Sequence, residues 1–301
     1  MKKTMPTLCL ISALSPFSAF ADNFSGSIQG YFLNKSYSVD SDVSVDIAGV
    51  YSYLGYGKHS LELEVDTLKV KDDDISKQDD FTLMYSNYQL ANWKLKLGLH
   101  NVNMASPSYS FDDVTFETNI SRMNDKLNAV IMGAQYTDYF YSYKKWQTGI
   151  DVIYASFDNS NNNFTQISPH YGQYFSATKV GHYYYAGITL HTQVFKFTVN
   201  GEYLYLNPDI SLKYVMPSTS FMLSAELGDN VNQFNLGGFS YNGGSLTYTE
   251  NLAFTVAHSF TPNLFMKAIL KQQYYLPAST TNSTNDKESI SSVQLSLGYN
   301  F

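Results

Sequence analysis

The 301-residue chain has one cysteine, Cys9, one arginine, Arg122, and eight prolines, and no run of apolar residues after position 21 approaches 18. Each scarcity excludes something. A lone thiol gives neither a disulfide framework nor a cysteine metal site. One arginine in a chain of formal charge −7 leaves no basic footprint for nucleic acid. The missing apolar run rules out a helical membrane span. Phosphate-binding glycine loops, zinc motifs and His-x-x-x-His spacing are also lacking, with His59, His100, His170, His182, His191 and His258 dispersed, so no metal or organic cofactor is expected. The adjacent pairs His59-Ser60 and His258-Ser259 point to opposite faces of an extended strand and cannot act as nucleophile and base, so no enzyme is expected either. The acidic stretch from Lys71 to Asp80 has no calcium-loop spacing and no closing Glu, and reads as a solvated loop.

What the chain has instead is 26 Tyr, 20 Phe and 18 Gly. Aromatic residues suit strands and membrane interfaces, and glycines suit walls that bend or pack closely. Lys2 and Lys3, the apolar stretch Met5 to Phe17 and the A-x-A-like Ala19-Phe20-Ala21 form the pattern of a secretory signal peptide over residues 1–21. Its removal takes Cys9 with it and lowers the formal charge from −7 to −9. Residues 22–301 are then a single domain.

That domain alternates with period two. Val43, Val45, Ile47, Gly49, Tyr51 and Tyr53 oppose Ser44, Asp46, Ala48 and Ser52; Leu61, Leu63 and Val65 oppose Glu62, Glu64 and Asp66. Trp93, Leu95, Leu97 and Leu99 oppose Lys94, Lys96, Gly98 and His100, and Ile150, Val152 and Tyr154 oppose Gly149 and Asp151. Phe195, Phe197, Tyr203 and Tyr205 oppose Lys196 and Glu202. Strands of about ten residues, apolar on the lipid side and polar inside, predict an all-β fold, a closed antiparallel transmembrane β-barrel. Fourteen strands are expected, starting near residues 24, 43, 60, 81, 93, 128, 146, 182, 194, 218, 231, 247, 264 and 288, with twelve or sixteen open because residues 164–241 are hard to parse.

The last strand carries a resemblance. Val293, Leu295, Leu297, Tyr299 and Phe301 share one face up to the final carboxylate, and Gln294, Tyr299 and Phe301 stand where Gram-negative outer-membrane β-barrel proteins have a polar residue, a hydrophobic residue and a terminal aromatic. The chain resembles that class, and the resemblance implies residence in the cell outer membrane, contact with its lipid and lipopolysaccharide, and recognition of Tyr299 and Phe301 by the barrel-assembly machinery. Short links, such as Gly55-Tyr56-Gly57-Lys58, Tyr143-Lys144-Lys145 and Thr192-Gln193, alternate with long ones such as Met104–Lys126 and Pro277–Lys287. Short turns face the periplasm, which puts Trp93 and Trp146 in the periplasmic aromatic belt.

The polar face then lines a lumen with Asp46, Glu62, Glu64, Asp66, Lys94, Lys96, Asp151, Lys196, Glu202, Lys267 and Lys271, whose charges either solvate a wet interior or set a transverse field. Replacing Lys96 is expected to leave the fold largely intact. The segment Met104–Lys126, with Asp112, Asp113, Glu117 and Arg122, is similar in position and length to the constriction loop of trimeric porins, or else is a surface lid. The leading expectation is a porin-like diffusion channel for small polar or ionic solutes with weak cation preference. The alternatives are a structural barrel whose exterior loops bind a partner and, third, a lipid-modifying barrel enzyme.

Overall fold

The computed structural model describes residues 24–38, 44–71, 77–88, 90, 92–112, 117–140, 143–158, 162–176, 180–197, 201–230, 233–235, 240–242, 247–276 and 288–301; the expected leader lies outside them. Sixteen strands follow one another: β1 (Phe24–Tyr37), β2 (Ser44–Tyr56), β3 (His59–Val70), β4 (Lys77–Asn87), β5 (Trp93–Asp112), β6 (Glu117–Phe140), β7 (Tyr143–Phe157), β8 (Asn163–Ser176), β9 (Tyr183–Phe197), β10 (Gly201–Val215), β11 (Thr219–Asn230), β12 (Gln233–Asn235), β13 (Ser240–Asn242), β14 (Thr247–Ser259), β15 (Leu264–Leu276) and β16 (Glu288–Asn300). Fourteen of them close into one antiparallel barrel, in which each strand pairs with its sequence neighbours, β11 pairs with β14, and β16 returns to β1. The remaining two, β12 and β13, form a separate two-stranded sheet between β11 and β14.

The count of fourteen agrees with the expectation although two of the strands behind it do not. The segment β8 was not among the fourteen expected strands, with Tyr171 to Ala177 left open as an extra one, and its place in the count was filled by a strand at 231, where the structure has only the short β12. Thr192-Gln193, expected as a turn, lies in mid-β9, paired with Leu206 and Tyr205 of β10. Polar residues misled there because both face positions filled by packing or by buried hydrogen bonds, and neither marks a chain reversal.

Closure depends on the two ends of the chain. Ser27 to Tyr37 pair with Asn300 to Ile290, and the Gly26 and Phe301 backbones exchange hydrogen bonds of 3.0 and 2.9 Å. A side chain on Gly26 would overlap the Phe301 ring, which stacks on Phe24 with centroids 6.2 Å apart. Tyr299 faces outward. The ladder thus closes between the first and last strands and leaves the barrel no open sheet edge, which hydrocarbon surroundings require. The outer surface carries Phe32, Leu61, Leu97, Val130, Ile188, Leu212, Phe254 and Leu295, all exposed on a single face of their strands. Such a belt on a soluble protein would be an aggregation surface; on a closed barrel it is the lipid contact.

Two stretches of wall read inside out. Val50 and Leu54 of β2 are exposed, so Asp46, of the same parity, points outward, where it accepts a 2.7 Å hydrogen bond from Asn34. Phe195 of β9 is 1% exposed and faces inward, which turns Lys196 outward beside exposed Val194. Asp46 and Lys196 are therefore not pore-lining. The physical reason is that part of the interior is packed and apolar, so that an apolar residue there does not mean a lipid-facing one. Phe164 and Phe195 stack inside at 4.7 Å, with Tyr205 edge-on to Phe195 at 5.7 Å.

Replacing Leu97, 55% exposed, by Arg is expected to destabilise the barrel by about 2–4 kcal/mol if the site is near the bilayer midplane. Phe195→Ala should cost about 3–5 kcal/mol through an internal cavity, whereas Val194→Ala on the lipid face should cost much less. Denaturant unfolding of the refolded variants measures all three, and equal losses at 194 and 195 would contradict the face assignment.

Candidate functional site

The interior has two parts. On β4 to β9 the inward residues Met84, Val102, Leu127, Ala129, Ile131, Ile153, Ala155, Phe164 and Phe195 form one buried apolar cluster. Burying each of the larger side chains contributes roughly 1.5–3 kcal/mol, and together they close half of the lumen. Around the other half, β1 to β3, the start of β4, and β10, β11 and β14 to β16 enclose a cavity of about 520 Å³. Its lining runs from Gln29 to Lys35 on β1 and from Lys267 to Gln273 on β15, roughly 20 Å of wall at the rise of a strand.

Five of the expected lining residues meet in this cavity: Glu62, Glu64 and Asp66 on β3, and Lys267 and Lys271 on β15. Four more carboxylates and lysines join them that the sequence did not single out: Lys35 on β1, Asp80 on β4, Asp209 on β10 and Glu226 on β11. Asp80 was hidden because Lys71–Asp80 reads as one acidic loop, whereas β4 already begins at Lys77. The plain period-two pattern of β1, with Gln29, Tyr31, Leu33 and Lys35 on one face, was the available signal for Lys35. Neutral donors hold most of the acids. Tyr31 Oη lies 2.9 Å from Glu64 Oε1 and 2.5 Å from Asp66 Oδ2, Tyr51 donates to Glu62 at 2.7 Å, Gln78 to Asp80 at 3.0 Å and Asn251 to Glu226 at 3.2 Å.

Lys94 and Lys96 of β5 and Asp151 of β7 face inward but serve differently. Lys94 reaches Glu62 at 3.8 Å. Lys96 and Asp151 form a 2.6 Å ion pair with side chains only 11% and 8% exposed. That pair sits over Gly133, where a β-carbon would overlap Asp151 Oδ1 and crowd Lys96 Cε, so the bare glycine makes the room the pair occupies. A paired, buried lysine is not the dispensable lumen charge that the sequence implied. The side chain of Glu202 lies outside the described side chains, though its backbone pairs with Lys196.

The expected constriction loop is not a loop. Ser106 to Asp112 pair without a register break with Met123 to Glu117, so β5 and β6 continue as a two-stranded ribbon beyond Ala105 and Leu127, where their outer neighbours β4 and β7 stop. Asp112, Glu117 and Arg122 belong to the ribbon, with their side chains outside the described ones, and Asp113 is outside the described residues. At the opposite end Trp93 and Trp146 flank the Tyr136 ring at centroid distances of 5.4 and 5.3 Å, on the same rim. Among the described residues a serine–histidine contact joins Ser168 Oγ and His191 Nδ1 at 2.9 Å, at 4% and 5% exposure beside Gln166 and Gln193.

No protein-family model matches the sequence, and no curated protein does. Among solved structures the barrel is similar to a FadL homologue of Pseudomonas aeruginosa, with a TM-score of 0.52 and 8% identity over 94% of this chain and 91% of that one. It also aligns with OccK1 (OpdK) of the same organism, with a TM-score of 0.45 and 10% identity over 93% and 98% of the two chains. CdiB from Acinetobacter baumannii gives a TM-score of 0.48 and 7% identity, over 92% of this chain and 60% of that one. Of these three only the first exceeds 0.5, and at its identity it speaks for the fold alone. That fold, with the apolar belt and the closed ladder, is the one outer-membrane β-barrels have, and the cell outer membrane is its place.

Removing one partner of the Lys96–Asp151 pair strands a buried charge. Lys96→Met is expected to cost about 3–5 kcal/mol, and the double variant Lys96→Met, Asp151→Leu much less. Unfolding measurements on single and double variants check this; an undiminished loss in the double variant would show that the cost lies in packing and not in charge.

Proposed function

We propose that the protein is a diffusion channel for small polar or ionic solutes in the outer membrane, and that solutes pass along the charged half of the interior. One observation carries this reading: an elongated polar cavity runs inside a closed transmembrane wall, with six carboxylates and three lysines along it. Its wall charges would be costly and pointless in a solid barrel, since a buried charge is tolerated only when paired or hydrated. The excess of carboxylates supports weak cation preference, because acidic walls lower the barrier for cations. Lipid and lipopolysaccharide around the belt, and the assembly machinery acting on Tyr299 and Phe301, are the partners this reading implies. The β5–β6 ribbon supports a second role, an exterior surface for a docking partner, since its two strands pair with each other beyond the ends of β4 and β7.

In a planar bilayer under a salt gradient, changing Glu62, Glu64 and Asp66 to their amides should shift the reversal potential toward anions. Deleting 108–121 should leave single-channel conductance near its original value. A large rise on deletion would return the ribbon to the lumen, and folded protein that never conducts would remove the channel reading in favour of the docking one.

A further inference from the structure

The lysines of the cavity have carboxylates on both sides, Glu64, Asp66 and Asp80 on β3 and β4 and, acting on Lys271, Asp209 and Glu226 on β10 and β11. Lys35, Ser292 and Lys271 stand in one inward row across β1, β16 and β15, because Ser292 is the register partner of both lysines. Lys267 lies four residues below Lys271 on the same face. Among the described residues, ion-pair contacts involve Lys77, Lys94 and Lys96 and none of these three lysines. The carboxylates opposite are occupied by neutral donors instead, Tyr31 on Glu64 and Asp66 and Gln78 on Asp80. Lys35 nevertheless feels Asp66 and Asp80 electrostatically, and Lys267 feels Glu64. The two groups therefore act on each other across the cavity without an ion-pair contact.

Hydrogen-bonded carboxylates on one wall and ammonium groups in no ion-pair contact on another make a ligand site of two poles. A simple anion held by the lysines would face the acidic wall, and a simple cation on the acids would face the lysines. A molecule with both charges, set several bonds apart, meets attraction at each end. A volume of about 520 Å³ is in the range of small-molecule sites.

We propose that Lys35, Ser292 and Lys271 hold the carboxylate of a small zwitterion whose ammonium group lies against Glu64 and Asp66, making this cavity a binding station for amino-acid-like solutes. The assignment rests on the channel reading for its physiological sense but not for its chemistry.

The test uses three probes with one carbon skeleton: 4-aminobutyrate, butyrate and butylammonium. Equilibrium dialysis against the refolded protein in detergent should show 4-aminobutyrate binding at least tenfold more tightly than either singly charged homologue. Lys35→Gln with Lys271→Gln, and separately Glu64→Gln with Asp66→Asn, should each weaken it at least tenfold in protein whose circular dichroism remains that of the barrel. Butyrate binding equally well would reduce the site to an anion site, and butylammonium binding equally well to a cation site; either result overturns the proposal. Conductance of the same preparation in potassium chloride separates the two readings. A conducting protein that binds none of the probes keeps the channel and loses the station, whereas binding without conductance keeps the station and removes the channel.

Discussion

Hydrocarbon offers no hydrogen bonds, and the whole structure follows from the need to leave no backbone group unpaired within it. An open sheet of thirteen paired junctions would still expose two edges. The ladder between β1 and β16 removes both, and its final step is the exchange between Gly26 and Phe301. Once the ring is closed, alternation has only two destinations, lipid or interior, and every side chain in the wall belongs to one of them. The same constraint explains why the ends of the chain are tied together by an aromatic contact, Phe24 on Phe301, at a rim where the ladder would otherwise fray.

Fourteen strands enclose more space than side chains fill in an eight-stranded barrel. Here the space is divided. Large apolar residues on β4 to β9, with buried polar ones such as His100, Gln166 and Gln193 among them, occupy one half, while charged residues on the remaining strands line the cavity in the other. Two ion pairs engage the inward lysines of β5: Lys96 with Asp151 among the packed strands, and Lys94 with Glu62 of the cavity wall. The packed half stiffens the wall against which the cavity is shaped. It also forces any permeating solute off the barrel axis and against the charged strands.

The closed barrel, its strand number and the faces of β3, β5, β7, β15 and β16 were legible because those strands obey the simple rule of apolar residues toward lipid. The rule broke at β2 and β9 for one reason. Val45, Ile47 and Tyr51, and likewise Phe195, are apolar residues facing an interior that is partly a core or an aromatic lining, and alternation alone cannot say which apolar face meets lipid. Element ends were less legible still. A polar run such as Lys77 to Asp80 can start a strand when its inward members line a wet cavity, and Met104 to Lys126 can extend one when two strands pair with each other past the membrane. Of the candidate site, the acidic wall of β3 and the lysines of β15 were readable. Lys35 had a signal in the alternation of β1 and Asp80 was hidden in an acidic run, whereas Asp209 and Glu226 gain their place only because β10 and β11 meet β15 through β14 around the ring.

The way the acids are held bears on how such a cavity can pass solutes at all. Had the lysines folded down onto Glu64 and Asp66, the resulting ion pairs would have cancelled the field between those two walls. Tyr31, standing on the adjacent wall with Gly49 giving its ring room, meets the carboxylates first. A phenol neutralises no charge, so the field across the cavity survives. A field kept by neutral hydrogen bonds attracts a solute without the rigid geometry of a tight site, and passage needs that balance, since a solute must be drawn in and still be able to leave. Partial solvation of both walls weakens each contact further. On the proposed channel reading, such a cavity selects by charge pattern more than by tight binding.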